Sequence, residues 1–171
     1  MWKSFFIISI VGTLLHFLYD LTNHNKIVGL FSAVNESTWE HIKIALTPTI
    51  IYSLYDGFVY GLNKNYFFAK LISLLLIIII IPIIFYTYKF FLKRNIPIID
   101  ILLFYITIFI SQYTFYYLLK LPSISFSCQY LSCILLFILF GFYMVLTLLP
   151  IKIELFKDPI TDKYGFNGHR K

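Results

Sequence analysis

The chain alternates between long apolar runs and short polar breaks. The first run extends from Trp2 to Thr22 and stops at Asn23-His24-Asn25. A second opens around Asn35 to Ser37, reaches about Leu62 and stops at Asn63-Lys64-Asn65. A third covers Tyr66 to Phe91; its stretch Leu71 to Phe85 carries no charge, includes five consecutive isoleucines (Ile77 to Ile81), and should kink at Pro82. Lys93-Arg94-Asn95 makes the next turn, with Asn95 a cap and Pro97 in the first turn of a helix that runs to Lys120. Pro122 and the serines after it separate this from a last run, about Phe126 to Leu149, which Pro150 ends. Runs of about 20 apolar residues suit helices that cross a hydrocarbon core of about 30 Å. A transmembrane β-barrel would need roughly ten-residue segments of alternating polarity, and these runs do not alternate. The pattern predicts an all-α, polytopic membrane helix bundle with about five transmembrane helices. Residues 1–150 form the bundle and residues 151–171 a polar tail. Ile27 to Phe31 is too short to span and is expected at the interface.

Composition agrees. Of 171 residues, 60% are hydrophobic and 13% charged, more apolar surface than a soluble domain of this length hides in one core. The two cysteines, Cys128 and Cys133, lie five residues apart in the last run and face different directions on a helix, so they read as packing residues. The apolar N-terminal run lacks a small-x-small cleavage site and carries His16 and Asp20 in its second half, so it reads as a retained span.

The net charge of +6 sits at helix ends and in the tail, which argues for membrane orientation and against nucleic acid. Ten Lys and Arg (Lys26, Lys43, Lys89, Lys93, Arg94, Lys152, Lys157, Lys163, Arg170, Lys171) fall on one side; four (Lys3, Lys64, Lys70, Lys120) fall on the other. Without the distal Arg170 and Lys171 the ratio is eight to four. The positive-inside rule then places the C-terminus and the first loop in the cytoplasm and the N-terminus outside. The expected location is a cell membrane, crossed several times; the expected partners are the lipid bilayer and a second copy or another membrane protein.

Polar residues within such helices carry the candidate chemistry, because an ionisable group facing lipid costs several kcal/mol. His16 and Asp20 are four apart and share a face of the first helix, with Gly12 one step behind. On the second helix, steps of four from Ser37 meet His41, Ala45, Thr49, Ser53, Gly57 and Gly61, nearly all small. Such a ridge lets another backbone approach. Packing of Gly12 against it would bring His16 and Asp20 near His41. Glu36 and Glu40 lie on the neighbouring face, and Ser37 with Glu40 forms a capping box. His16, Asp20 and His41 are candidate ligands for a divalent, zinc-like metal, and Glu36 or Glu40 a candidate catalytic base. The bland alternative assigns Glu40 to capping, Glu36 to an ion pair with Lys43 or Lys26, and Asp20 to orienting His16. Asn35, Ser37 and Asp56 complete the polar positions of note; Asp56 lies deep in the second helix, with Tyr52 and Tyr55 near enough to donate hydrogen bonds. Asp100, Thr107, Ser111 and Thr114 share a face of the fourth helix, beside Gln112, and stitch helices together or line a polar interior. His169 in the tail reads as solvated, while Phe156 and Tyr164 have apolar surface that docking would bury.

The segments His16-Phe17-Leu18-Tyr19-Asp20 and Val34-Asn35-Glu36-Ser37-Thr38-Trp39-Glu40-His41-Ile42-Lys43 resemble the signature of an uncharacterised family of small bacterial membrane proteins, DUF6512. The tail, Phe156-Lys157-Asp158-Pro159 through Lys163-Tyr164-Gly165, is similar to that family's C-terminal end. This resemblance implies a membrane protein of about this size and no particular activity. A more distant similarity is to the membrane hydrolases that include alkaline ceramidases and progestin/adipoQ-type receptors, which implies a zinc site of His and Asp. Those proteins have seven helices and a C-terminal His-x-x-x-His that this chain lacks.

Three functions follow as expectations. The first is a non-enzymatic membrane component that binds a partner or small ligand through a cytoplasmic-side His/Asp/Glu cluster. The second is a metal-dependent membrane hydrolase using the same cluster. The third is a small transporter or channel subunit with Asp56 and the fourth helix along its path.

Overall fold

A computed structural model describes residues 1–62 and 65–169. Among them are six helices: α1 (Trp2–Leu21), the short α2 (Lys26–Gly29), α3 (Thr38–Tyr60), α4 (Tyr66–Leu92), α5 (Pro97–Lys120) and α6 (Phe126–Leu148). Two 3-10 turns in the tail, Glu154–Phe156 and Gly165–Gly168, follow. The described residues contain no strand, only an isolated antiparallel bridge between Lys157 and Tyr164. Four helices, α1, α4, α5 and α6, are long and apolar enough to cross a membrane. The expected turn at Asn63-Lys64-Asn65 lies partly outside the described residues, as do Arg170 and Lys171.

α3, at 23 residues, is longer than α1 at 20, but Glu40, Lys43 and Asp56 lower its hydropathy. These charges sit inside the protein: Lys43 and Asp56 are 0% exposed. Lys43 reaches Glu40 at 2.6 Å, and Asp56 reaches Lys70 of α4 at 2.8 Å. Burial of each charge is tolerated because an opposite charge accompanies it. α3 therefore packs between α1 and α4, with α5 against α4 and α1, and α6 on α4. The core that joins them includes Ile8, Ile42, Ala45, Leu46, Ile77 and Ile108.

The α1–α3 crossing is as close as the ridge of small residues suggests. A Cβ on Gly12 would lie 2.7 Å from the Ile44 carbonyl oxygen and 2.7 Å from Cζ of Phe104. The contact falls one residue from the small position Ala45, which is fully buried, as is Thr49.

Several local details differ from expectation. α4 continues through Pro82. The cap of α5 is Ile96 rather than Asn95, with Pro97 in the first turn. Ser37 caps α3 without a side-chain bond, so no capping box forms. The Ser37 N–H instead donates to Asn35 Oδ1 (2.9 Å). Glu40 turns away from the cap and accepts the Val34 N–H at 3.0 Å as well as the Lys43 ammonium. Asp56 takes no bond from Tyr52 or Tyr55; Tyr116 of α5 donates to it at 3.0 Å, opposite Lys70. That lysine also lies 3.5 Å over the Phe115 ring. On α5, Ser111 bonds Ser73 of α4 (2.8 Å), and Tyr88 donates to Asp100. This face joins α5 to α4.

Candidate functional site

α1 ends in a turn that the sequence makes polar and compact. The Asn23 and His24 N–H groups donate to the carbonyls of Asp20 and Tyr19, and both residues adopt the left-handed region, with φ of 52° and 61°. Asparagine tolerates that region; histidine does so at a cost of roughly 1–2 kcal/mol. Asn25 then caps α2 by accepting the Ile27 N–H at 2.9 Å. The turn places His24 back over α1, where its Nε2 lies 3.4 Å from Asp20 Oδ1.

The tail supplies the third member. Its path is fixed by polar bonds to the irregular segment before α3 and by aromatic packing. Asp158 is buried and accepts the Glu36 N–H at 3.0 Å, and also the N–H and hydroxyl of Thr161, each at 2.6 Å. Asn35 donates to the Gly165 carbonyl at 2.9 Å. Phe156 is buried with its ring 5.0 Å from that of Trp39. Phe166 packs so near Gly29 that a Cβ there would lie 2.5 Å from its Cε1. On the outer rim, exposed Asp162 pairs with half-buried Lys157 at 2.7 Å and its hydrogen bond holds that ammonium above the ordinary lysine pKa.

His169 then reaches the α1 turn. Its Nδ1 lies 3.0 Å from the Val34 carbonyl oxygen. A carbonyl only accepts, so Nδ1 carries a proton, and in the neutral imidazole Nε2 is the nitrogen with the lone pair. That Nε2 lies 2.7 Å from His24 Nε2 and 3.3 Å from Asp20 Oδ1. Tyr19 packs beside both rings, at 5.3 Å from His24 and 5.1 Å from His169. Among the described residues, Asp20, His24 and His169 are the group of three metal-ligand side chains whose donor atoms all lie within 4.8 Å of one another. Ligands at 2.0–2.1 Å around a tetrahedral zinc stand about 3.3–3.4 Å apart. Both carboxylate-to-imidazole separations match; the imidazole pair must open by about 0.6 Å. The Val34 carbonyl orients the His169 ring from behind, the role that outer-shell partners play for histidines in metal sites.

The expected set is therefore divided. Asp20 is drawn to His24 and His169. His16 and His41 meet at Glu36 instead, each Nε2 lying 3.8 Å from a different carboxylate oxygen. The two rings are nearly parallel, 5.9 Å apart. At 3.8 Å neither contact is a hydrogen bond, and His16 Nδ1 is buried with no partner among the described residues. Glu36 thus pairs with histidines, not with Lys43 or Lys26. Glu40, Asn35 and Ser37 serve the loop before α3, and Asp56 lies in the separate pair with Lys70. Sequence reasoning did not place His24 and His169 beside Asp20. The i, i+4 spacing of Asp20 and His24 is a usable signal; for His169 the apolar surface of Phe156 and Tyr164 points to tail docking, but not to where the histidine lands.

The comparisons agree with the architecture and add no activity. Neither a curated protein nor a solved structure matches the chain. A family model described as a family of unknown function, DUF6512, matches residues 1–166. With nearly the whole chain covered and four apolar helices of spanning length, the protein belongs to the DUF6512 family, whose function is unknown.

Proposed function

We propose that the protein is a five-span, non-enzymatic membrane component that binds a divalent transition metal on its cytoplasmic side, and that the ion fastens the tail to the bundle. The observation that carries this reading is the convergence of Asp20, His24 and His169. They come from a helix, a strained turn and the tail. Two imidazoles and a carboxylate suit zinc or a neighbouring first-row ion. An ion at this point joins segments that Asn35, Phe156, Asp158 and His169 itself also link. α3 is read as the fifth span because its charges are paired inside the protein, and the cytoplasmic assignment follows the excess of Lys and Arg on the tail side.

Metal-dependent hydrolysis is the second reading. Three protein ligands leave a fourth position for water, and the group is accessible, with Asp20 65% and His24 50% exposed. Glu36 is then the available base, because Glu40 is committed to Lys43 and Val34. Transport through Asp56 has less support, since both of its oxygens are occupied by Lys70 and Tyr116.

Elemental analysis of protein purified with zinc in the medium tests the reading. The expected result is about one ion per chain in the unmodified protein and in His16→Ala, and loss of the ion in His24→Ala and His169→Ala. Equal metal content in all four would sink it; loss only in His16→Ala would move the site to the His16–Glu36–His41 group.

A further inference from the structure

A polar cavity lies between the bundle and the tail, and none of its lining residues belongs to the Asp20–His24–His169 group. Its walls include Phe85 and Lys89 of α4, Glu36 before α3, and Glu154, Lys157 and Asp162 of the tail. α4 fixes its depth. The 27 residues of that helix extend about 40 Å at 1.5 Å per residue, longer than a hydrocarbon core of about 30 Å, so its ends project into the headgroup layers. Lys89 lies in the last turn, just after Tyr86 and Tyr88, aromatic residues of the kind that sit at the interface. The tail wall agrees with this depth. Between the end of α6 and Glu154, Leu149, Ile151 and Ile153 are 73%, 53% and 50% exposed, apolar surface that suits the membrane boundary. The cavity therefore opens where phospholipid headgroups lie.

Charge narrows the occupant. Lys157 is committed to Asp162 at 2.7 Å. Among the described residues, the side chains of Lys89 and Glu154 form neither an ion pair nor a hydrogen bond; the Lys89 ammonium lies 5.5 Å from the centre of the Phe85 ring. Glu36 is 46% exposed, and the imidazoles that face it stand 3.8 Å away, too far to occupy its oxygens with hydrogen bonds. The cavity thus presents one uncommitted ammonium and two carboxylates with open acceptor positions.

An anionic headgroup would meet this surplus of carboxylate and be repelled. A simple cation would leave Lys89 unmatched. A zwitterion matches both signs. Lysine binds phosphate as a point charge, and a primary ammonium has three N–H donors for the carboxylates, which a quaternary ammonium lacks. We propose that the cavity binds the phosphoethanolamine headgroup of a phospholipid in the tail-side leaflet, with its phosphate at Lys89 and its ammonium at Glu154 and Glu36. Lys89 belongs to α4 and Glu154 to the tail, so the bound headgroup bridges tail and bundle without involving any metal.

Native mass spectrometry of the full chain in mild detergent, mixed with equal amounts of phosphatidylethanolamine, phosphatidylcholine and phosphatidylglycerol, reads the site directly. The unmodified chain should retain phosphatidylethanolamine at least about fivefold better than either other lipid, the preference that one partly exposed ion pair supports. Glu154→Gln and Lys89→Gln should each abolish that preference. Lys93→Gln, which removes an exposed lysine at the same helix end but outside the cavity, should keep it. None of the three changes touches the buried core, and an unaltered thermal unfolding midpoint confirms that each variant is folded. Free phosphoethanolamine has no acyl chains to bury and should bind at least about tenfold more weakly than the lipid. Equal retention of the three lipids by the unmodified chain overturns the proposal. So does a preference that survives in Glu154→Gln and Lys89→Gln, or is lost equally in Lys93→Gln. Binding of free phosphoethanolamine as tight as that of the lipid would move the occupant from the bilayer to solution and overturn the lipid assignment. Metal content does not enter these measurements, so failure of the metal site would leave the result intact.

Discussion

His24 Nε2 and His169 Nε2 lie 2.7 Å apart across a sequence separation of 145 residues, with Asp20 Oδ1 at 3.4 and 3.3 Å from them. With a neutral His169 bonded through Nδ1 to the Val34 carbonyl, a hydrogen bond between these nitrogens has His24 as the donor. In the proposed metal-bound form, the ion takes that proton's place. Substitution of His169 by alanine should weaken zinc binding by at least about 100-fold, more than loss of an outer-shell partner alone, which costs about 10–100-fold. Competition titration with a chelating indicator measures it; an unchanged affinity contradicts the assignment.

The tail should stay docked without metal, because Phe156 and Asp158 are buried independently of the histidines. Phe156→Ala removes a buried ring and should cost about 3–5 kcal/mol of tail docking. In limited trypsin digestion, cleavage after Lys157 and Lys163 should accelerate sharply in Phe156→Ala and only modestly in His169→Ala. The reverse order would show that the histidine, and not the aromatic contact, holds the tail.

The Asp56–Lys70 pair yields a stability prediction with a built-in control. Asp56→Leu leaves Lys70 buried beside Phe115 without its carboxylate, and Lys70→Met strands Asp56. Each single change should destabilise the fold by about 3–5 kcal/mol, and the double change should recover most of that loss. Thermal unfolding in detergent reads the comparison. Additive losses in the double variant would mean that the two side chains do not act as a pair.

Gly12 reports on the α1–α3 crossing. A methyl group there meets the Ile44 carbonyl at 2.7 Å, and backbone gives way less readily than a side chain, so Gly12→Ala should lower the unfolding midpoint and Gly12→Val should lower it further. Gly141, where an added Cβ meets nothing within 4 Å, is the matched control and should tolerate alanine with little change. Equal tolerance at both positions would contradict the packing described.

These cases also mark what the sequence made legible. Helix bounds followed from polar breaks such as Asn23-His24-Asn25, since a span must end where unpaired polar groups meet water. The Gly12 contact followed from the four-residue ladder of small positions on α3. The approach of His16 to His41 followed from that contact. What stayed hidden was non-local. Asp56 finds Lys70 fourteen residues away on the next helix, beyond any i, i+4 rule, so nearby tyrosines looked like better partners. Glu40 matched a capping box, yet burial made Lys43 the stronger attraction. His169 reaches Asp20 because Asn35, Phe156 and Asp158 anchor the tail, and the polar pair does not advertise that role by its spacing.

Copper(II) provides the most direct test of the metal-fastened tail, because pulsed electron paramagnetic resonance counts coordinated imidazoles. The protein loaded with one equivalent of copper should show two imidazole ligands, one in His169→Ala and one in His24→Ala, with two retained in His16→Ala. A count of two that persists in His24→Ala and His169→Ala, or a count of none in the unmodified protein, would contradict the account.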